Sequence, residues 1–382
     1  MRVVIIGNGA AGATAAEEIR KADGSCEITV ISDERYPYYS RPRVIEFLTG
    51  KIPEEKIFIK KPEWYAENKI ELLLSTVVEK IDTGAKQVKA GGVIINYDKL
   101  VIAAGASSFA PPFPGAKDKG VFTLRTIDDA KGIMQYAKGR KKAVVIGGGL
   151  LGIEAANSLK EHGLKVIIVE VFDRLLPRQL DKEAAGILQK KLEEMGLSFI
   201  LNKQTAAIEE NSGKKRVKFA DDTFEETDMV LLSAGIRSNL KIAENTAIEK
   251  MLGIKIDGFG RTNIDSVYAC GDIAEFNGRV YGIWPAAREQ AQAVASHITG
   301  GSAEYKGTVM SVKLKVAGIE LASMGDISGE GTQAEIKTEN DSFKKIFIRD
   351  NKAAGAILIG DTKDYVKIQK IIKEGGNYTE AL

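Results

Sequence analysis

The strongest constraint in the sequence is a glycine pattern that occurs twice. Residues 2–34 read as strand, loop, helix and strand: the apolar run Arg2 to Ile6, the loop Gly7-Asn8-Gly9-Ala10-Ala11-Gly12, an alanine-rich helix ending near Asp23-Gly24, and a second strand from Glu27 to Ile31. Asp33 and Glu34 follow that strand. The same unit recurs from Lys142: strand Ala143 to Ile146, loop Gly147-Gly148-Gly149-Leu150-Leu151-Gly152, helix Ile153 to Glu161, strand Lys165 to Val169, and Glu170 at its end. In such a loop the first glycine permits a tight turn. The second lets backbone approach a pyrophosphate, and the third lets helix and strand pack closely. The helix N-terminus offers free N–H groups to the phosphates. An acid at the end of the second strand accepts hydrogen bonds from a ribose diol. One such loop is a weak signal; two complete units predict two bound dinucleotides. Glu170 favours NADH over NADPH, because a carboxylate accepts from a free 2′-hydroxyl and repels a 2′-phosphate.

What the chain lacks narrows the chemistry. Cys26 and Cys270 are the only cysteines and His162 and His297 the only histidines. No C-x-x-C pair exists, so a redox disulfide, a zinc site and an iron–sulfur site are not expected. With acid–base chemistry on histidine equally unsupported, the reaction must come from a cofactor, with no side chain as acid or base. The 54 basic and 52 acidic side chains give a formal charge of +2, which argues against nucleic acid as partner. No apolar run is long enough to span a membrane and no signal peptide is evident, so a cytoplasmic location is expected.

Between and after the loops the pattern continues in duplicate. Residues 70–97 and 198–227 each alternate apolar and polar positions around turn signals and read as antiparallel β-meanders. Each is followed by a buried strand, Lys99 to Ala104 and Met229 to Ser233, ending at Gly105 and Gly235. Pro111-Pro112-Phe113-Pro114-Gly115 is a rigid linker marking a crossing between domains. The C-terminal region offers strands at Val309 to Val316, Phe343 to Ile348 and Ala354 to Ile359, then an amphipathic helix from near Asp361. The expected fold is α/β: two Rossmann-like dinucleotide-binding domains with β-meanders, residues 1–109 with 235–305 and residues 110–234, plus a small α+β domain at 306–382.

This combination resembles the FAD-dependent pyridine-nucleotide oxidoreductases with the glutathione-reductase-like fold, over essentially the whole chain. Leu100-Val101-Ile102-Ala103-Ala104-Gly105-Ala106 looks like the family's strand before the first crossing. Arg261 to Asp272 looks like its second FAD signature, whose aspartate would be Asp272. Ile283 to Gln290 is similar to the segment whose helix N-terminus faces the flavin, where negative charge accumulates on reduction. Ala291 departs from the glycine common there. Tyr39-Ser40-Arg41-Pro42 resembles rubredoxin and ferredoxin reductases and the flavin module of assimilatory nitrite reductases. The redox cysteine of related thiol-based enzymes is missing from 40–48, and Glu46 stands where relatives often carry a lysine.

The resemblance implies FAD bound by Gly7, Gly9, Ala10, Ala11, Gly12, Asp33, Glu34, Arg41, Pro42, Val78, Ala104, Gly105, Asp272 and Trp284. It implies NADH bound by Gly147, Gly149, Leu150, Leu151, Gly152, Glu154, Glu170 and Gly235, with Glu154 at the nicotinamide carboxamide. The isoalloxazine is expected near Arg41, Glu154 and Asp272. The implied activity passes electrons from NADH through FAD to a small acidic iron protein, foremost a rubredoxin, docked on Lys56, Lys60 and Lys61. Two other readings stay open: an NADH-dependent FAD enzyme with another acceptor (oxygen, a quinone, or a partner subunit as in nitrite reductase), and an NADH-binding flavoprotein with a signalling role. The short C-terminal domain implies a monomer or weak homodimer.

Overall fold

A computed structural model describes every residue except Met310, Ala317, 330–332 and 340–341. The chain forms two compact units, one of residues 1–43, 52–107 and 236–308, the other of 44–51, 108–235 and 309–382.

The first unit is built on a parallel sheet in the order Val267–Ala269, Lys99–Ile102, Arg2–Ile6, Glu27–Ile31 and Ile70–Leu73. Val3 to Ile6, Leu100 to Ile102 and Val267 to Ala269 are continuously apolar because both faces are covered there. Val3, Ile5 and Val101 face the helices Ala10–Ala22 and Trp284–Ile298. Val4, Ile6, Leu100 and Ile102 face the three-stranded meander Val78–Asp82, Gln87–Ala90 and Val93–Asn96. Ala13, Ala16, Ala291 and Ala295 are small and buried, so the two helices approach closely.

The second unit repeats the plan. Its sheet runs Ser198–Ile200, Lys165–Val169, Lys142–Ile146, Met229–Leu232 and Val121–Thr123, beside the meander Thr205–Asn211, Lys214–Phe219 and Phe224–Thr227. Gly115, at the end of the proline-rich linker, has φ +81°, and a Cβ there would lie 1.9 Å from the Ile208 carbonyl oxygen. That contact fixes the linker to the meander. The chain passes between units beside the short paired strands Ala106–Ser108 and Ile236–Ser238, slightly before the prolines.

Both meander assignments from sequence need correction at their start. Ile70–Leu73 and Ser198–Ile200 join the parallel sheets instead, in register with Ile28–Ile31 and Ile167–Val169. A run of three or four residues with alternating polarity does not distinguish the two kinds of pairing. The helices Pro62–Glu67 and Lys182–Glu194, which return the chain to the sheet edge, make the difference.

The C-terminal region is a five-stranded antiparallel sheet ordered Ser311–Val316, Ile319–Gly325, Lys352–Ile359, Ser342–Arg349 and Gln333–Glu339, with the helix Tyr365–Glu374 against it. The sequence reading missed Ile319–Gly325 and Gln333–Glu339, and part of its Val309–Val316 strand, Met310, lies outside the described residues. Within this unit the sheet packs on the helices Leu150–Glu161 and Lys182–Glu194.

Residues 44–51, assigned from sequence to the first domain, group with the second unit. The helix Val44–Leu48 packs on the helices Ile127–Ala137 and Leu150–Glu161 and buries Val44 and Leu48. Fully burying such a side chain is worth about 1.5–3 kcal/mol. Polar contacts fix its register: Lys51 Nζ lies 2.8 Å from Glu161, and the Leu48 carbonyl is 2.5 Å from His162 Nε2. Glu46 is thereby brought toward Glu154. Burial, reinforced by the Glu46 charge, pushes the Glu154 carboxyl up to about 7.

A carboxyl raised in the folded state stabilises fully below its ordinary value, near 4.5, and that contribution is lost as pH rises through about 7. Glu154→Gln is therefore expected to melt close to wild type at pH 5 and a few degrees above it at pH 8. Thermal denaturation at both pH values checks this, and an equal difference at the two would refute it.

Candidate functional site

The two glycine loops are geometric copies. Gly7 has φ +107° and its N–H donates to the Ile31 carbonyl at 2.8 Å; Gly147 has φ +118° and donates to Val169 at the same distance. A Cβ on Gly7 would lie 2.2 Å from the Ala103 carbonyl oxygen, and one on Gly147 would lie 2.2 Å from that of Ser233. A Cβ on Gly12 would lie 1.9 Å from the Gly7 oxygen, and one on Gly152 2.0 Å from that of Gly147. The first and third glycines are thus demanded by backbone packing against backbone. Gly9 and Gly149 differ: nothing stands within 4 Å of a Cβ built on them. Each is the N-cap of its helix, with no side-chain cap and no acid in the first turn. Ala10 and Ala11, and Leu150 and Leu151, open those helices. The first-turn N–H groups of each helix are left without a capping side chain, as a pyrophosphate requires.

Asn8 adds a donor that the sequence reading did not single out. It is 9% exposed, its Oδ1 accepts from Tyr65 Oη at 2.8 Å, and its amide nitrogen has no hydrogen-bond partner. A buried, unmet N–H in a phosphate loop fits an anionic ligand.

The acids are not copies. Glu170 follows its strand directly and is buried. Its Oε2 accepts from Gly148 N–H at 2.6 Å and its Oε1 from Phe172 N–H at 3.0 Å. The carboxylate is thus part of the loop, with exposed Val171 and Phe172 next to it. The matching position in the first unit is Ser32, also buried. Asp33 beyond it is exposed. Glu34 binds Arg41 and accepts from Tyr39 Oη at 2.5 Å. Arg41 also donates to Tyr39 Oη at 3.1 Å and its guanidinium stands 5.3 Å from the Tyr39 ring centre. This Glu34–Tyr39–Arg41 cluster lies within electrostatic range of Asp272.

Asp272 follows Gly271, whose φ is +82° and whose absent Cβ would sit 2.8 Å from Ala11 Cβ. Gly271 N–H donates to Gln290 Oε1 at 2.8 Å, and Ser238 Oγ donates to the Asp272 carbonyl at 2.8 Å. The second signature is thereby held against the start of the first loop's helix. The helix Trp284–Ile298 begins with Trp284-Pro285, again with no side-chain cap and no acid in its first turn. Trp284 lies 6.3 Å from Tyr38 between ring centres. Asn239 clasps the segment just after the strand Lys99–Ile102, its side-chain amide donating to the Ala104 carbonyl and its N–H to that of Gly105. Pro42 is exposed beside Arg41, and Val78 is a half-buried residue of the meander core. In the second unit the Gly235 carbonyl accepts from Phe109, and Glu154 lies one turn into the loop's helix.

Both cysteine thiols are buried. Burial and then Asp23 push Cys26 up to about 11, and burial pushes Cys270 up to about 12. Neither is a thiolate at neutral pH. No group of three or more potential metal ligands occurs among the described residues, and no helix among them is long and apolar enough to cross a membrane. His162 is engaged with Leu48, and His297 Nδ1 lies 3.1 Å from Tyr268 Oη.

Compared with known proteins, residues 1–291 match the pyridine nucleotide-disulphide oxidoreductases and residues 311–376 the C-terminal domain of rubredoxin NAD+ reductases. The chain is 37% identical over 369 residues to the assimilatory nitrate reductase electron transfer subunit of Bacillus subtilis strain 168, covering 95% of this chain and 48% of that protein. It spans about half the length of the first curated relatives it matches. The NADH-rubredoxin oxidoreductase of Clostridium acetobutylicum is 32% identical over 380 residues, covering 99% of this chain and 96% of that protein. The crystal structure of NADH:rubredoxin oxidoreductase from Clostridium acetobutylicum superimposes with a TM-score of 0.83 at 30% identity, over 99% of this chain and 96% of that one. The chain belongs to the pyridine nucleotide-disulphide oxidoreductase family.

Proposed function

We propose that the protein is an NADH-dependent FAD oxidoreductase whose acceptor is a small iron protein of the rubredoxin kind. The observation that carries the reading is the pair of complete dinucleotide cradles in one chain that has no thiolate beside either of them. The first unit would hold FAD, with its pyrophosphate on Gly7–Gly12 and Asn8 and its ribityl chain at Asp272. The N-terminus of the helix Trp284–Ile298 supplies positive potential for the flavin. The second unit would hold NADH on Gly147–Gly152, with its adenosine ribose at Glu170 and Glu154 offered to the carboxamide. Bound flavin accepts electrons as a hydride and releases them singly, which suits a one-electron acceptor. The side chains orient and polarise, and none is required as acid or base. The match of the C-terminal sheet to rubredoxin reductases, and the near full-length match to the Clostridium protein, support this acceptor.

A second reading has a specific observation in its favour. The 37% relative is named as an electron transfer subunit, and this chain covers half of it. Electrons would then pass to a partner subunit.

Three outcomes are expected. NADH should be preferred over NADPH by at least about tenfold in kcat/KM, because Glu170 is buried and a 2′-phosphate would face its carboxylate. Steady-state rates with both coenzymes check this, and equal efficiency refutes it. Protein reduced anaerobically with NADH should be reoxidised quickly by rubredoxin and slowly by air in stopped flow. Fast reoxidation by air alone would make it an oxidase, and a reduced state persistent against both would favour a binding role. The basic docking patch expected at Lys56, Lys60 and Lys61 must shrink. Lys60 pairs with Glu17 at 3.0 Å and lies 4.1 Å from the Trp64 ring centre. Charge reversal at Lys56 and Lys61 together should raise the KM for rubredoxin, more so at low salt; an unchanged KM would remove the patch.

A further inference from the structure

The segment between Glu170 and the helix Lys182–Glu194 is held tightly to the second glycine loop. Leu175, Leu176 and Leu180 are buried. The Leu176 N–H donates to the Gly148 carbonyl at 3.0 Å, and a Cβ on Gly148 would meet Leu175 Cδ2 at 2.8 Å. Gln179 and Leu180 both donate to the Leu176 carbonyl at 2.8 Å, and Arg174 Nε donates to that of Leu180 at 3.3 Å. Leu176 itself has φ +49°. A bulky residue keeps that conformation only where its surroundings over-determine it.

One end of the segment is fixed by Glu170, whose two oxygens take Gly148 and Phe172 N–H. The other end is Asp181, which caps the following helix: its Oδ1 accepts from Ala184 N–H at 3.0 Å. Its Oδ2 lies 2.6 Å from Lys345 Nζ, and Lys345 also reaches Glu183 at 3.1 Å. Lys345 belongs to the strand Ser342–Arg349 of the C-terminal sheet. The side chains of Lys345 and Asp181 are only 14% and 21% exposed, so the pair is far less screened than a surface ion pair.

We propose that Lys345 is a positioning residue for the dinucleotide at the second glycine loop: through Asp181, the C-terminal sheet holds segment 171–180 against Gly148. The inference rests on the reading that this loop binds NADH. Released at Asp181, the segment is free to relax from the strained Leu176 conformation, and the loop must be reordered when the dinucleotide binds. That ordering cost appears as weaker affinity. A lysine that merely attached the C-terminal sheet would leave affinity unchanged.

The test uses flavin-loaded full-length protein and NAD+, which binds without reducing the flavin. Titration calorimetry gives the Kd, and limited trypsin digestion reads cleavage after Arg174 and Arg178. Lys345→Met keeps the apolar stem; Asp181→Asn breaks the ion pair and keeps a helix cap. Each is expected to raise the Kd for NAD+ roughly three- to tenfold and to speed cleavage in the segment, with flavin content unchanged. Lys345→Arg should restore both, and the double variant should be no worse than the weaker single one. If Lys345→Met fails to fold, Asp181→Asn decides alone. Wild-type Kd and cleavage in the variants would overturn the role of Lys345. Failure of wild type itself to bind NAD+ would overturn the coenzyme reading, and this inference with it.

Discussion

Everything in this structure depends on backbone touching backbone at two points. Between Gly7 and Gly12, and again between Gly147 and Gly152, a carbonyl oxygen occupies the place where a Cβ would project. The contact draws the first turn of each helix onto the end of its strand and leaves the middle glycine open. The continuous apolar strands and the alanine faces of the helices serve the same end. They let a helix lie close enough to the sheet for its N-terminus to meet a ligand at the strand ends.

The duplication is faithful where packing demands it and lapses where recognition begins. Glu170 is folded into its own loop, whereas Ser32 stands in the equivalent place and Glu34, two residues on, is tied to Tyr39 and Arg41. Asn8 accepts from Tyr65 and leaves its amide N–H unmet, where the matching Gly148 leaves room for Leu175. One scaffold has therefore been given two different polar linings, as expected if the two units hold different dinucleotides.

The loops were legible in the sequence because their first and third positions admit only glycine; Asp272 was named because it sits in a long signature. Asn8 and Ser32 were not singled out, since their roles come from burial and from partners such as Tyr65, 57 positions away. Ile70–Leu73 and Ser198–Ile200 read in the sequence as meander strands because three or four residues carry no directional information. The missed strands of the C-terminal sheet, Ile319–Gly325 and Gln333–Glu339, are flanked in sequence by the turn residues Gly318, Asp326, Ser328-Gly329 and Asn340-Asp341, signals that the reading of the sequence left unused. The excursion of Val44–Leu48 was invisible because five residues do not reveal which surface they cover.

That excursion bears on how such proteins exchange parts. The chain passes from one unit to the other five times, at 43–44, 51–52, 107–108, 235–236 and 308–309. The second unit is therefore not a cassette running from 108 to 235. It includes an eight-residue plug, Val44–Lys51, encoded inside the sequence of the other half. A recombination that swaps only the contiguous stretch brings a foreign plug to the new partner, with the wrong residues at Val44, Leu48 and Lys51. An exchange that preserves the packing of the second unit must therefore carry Val44–Lys51 along with 108–235.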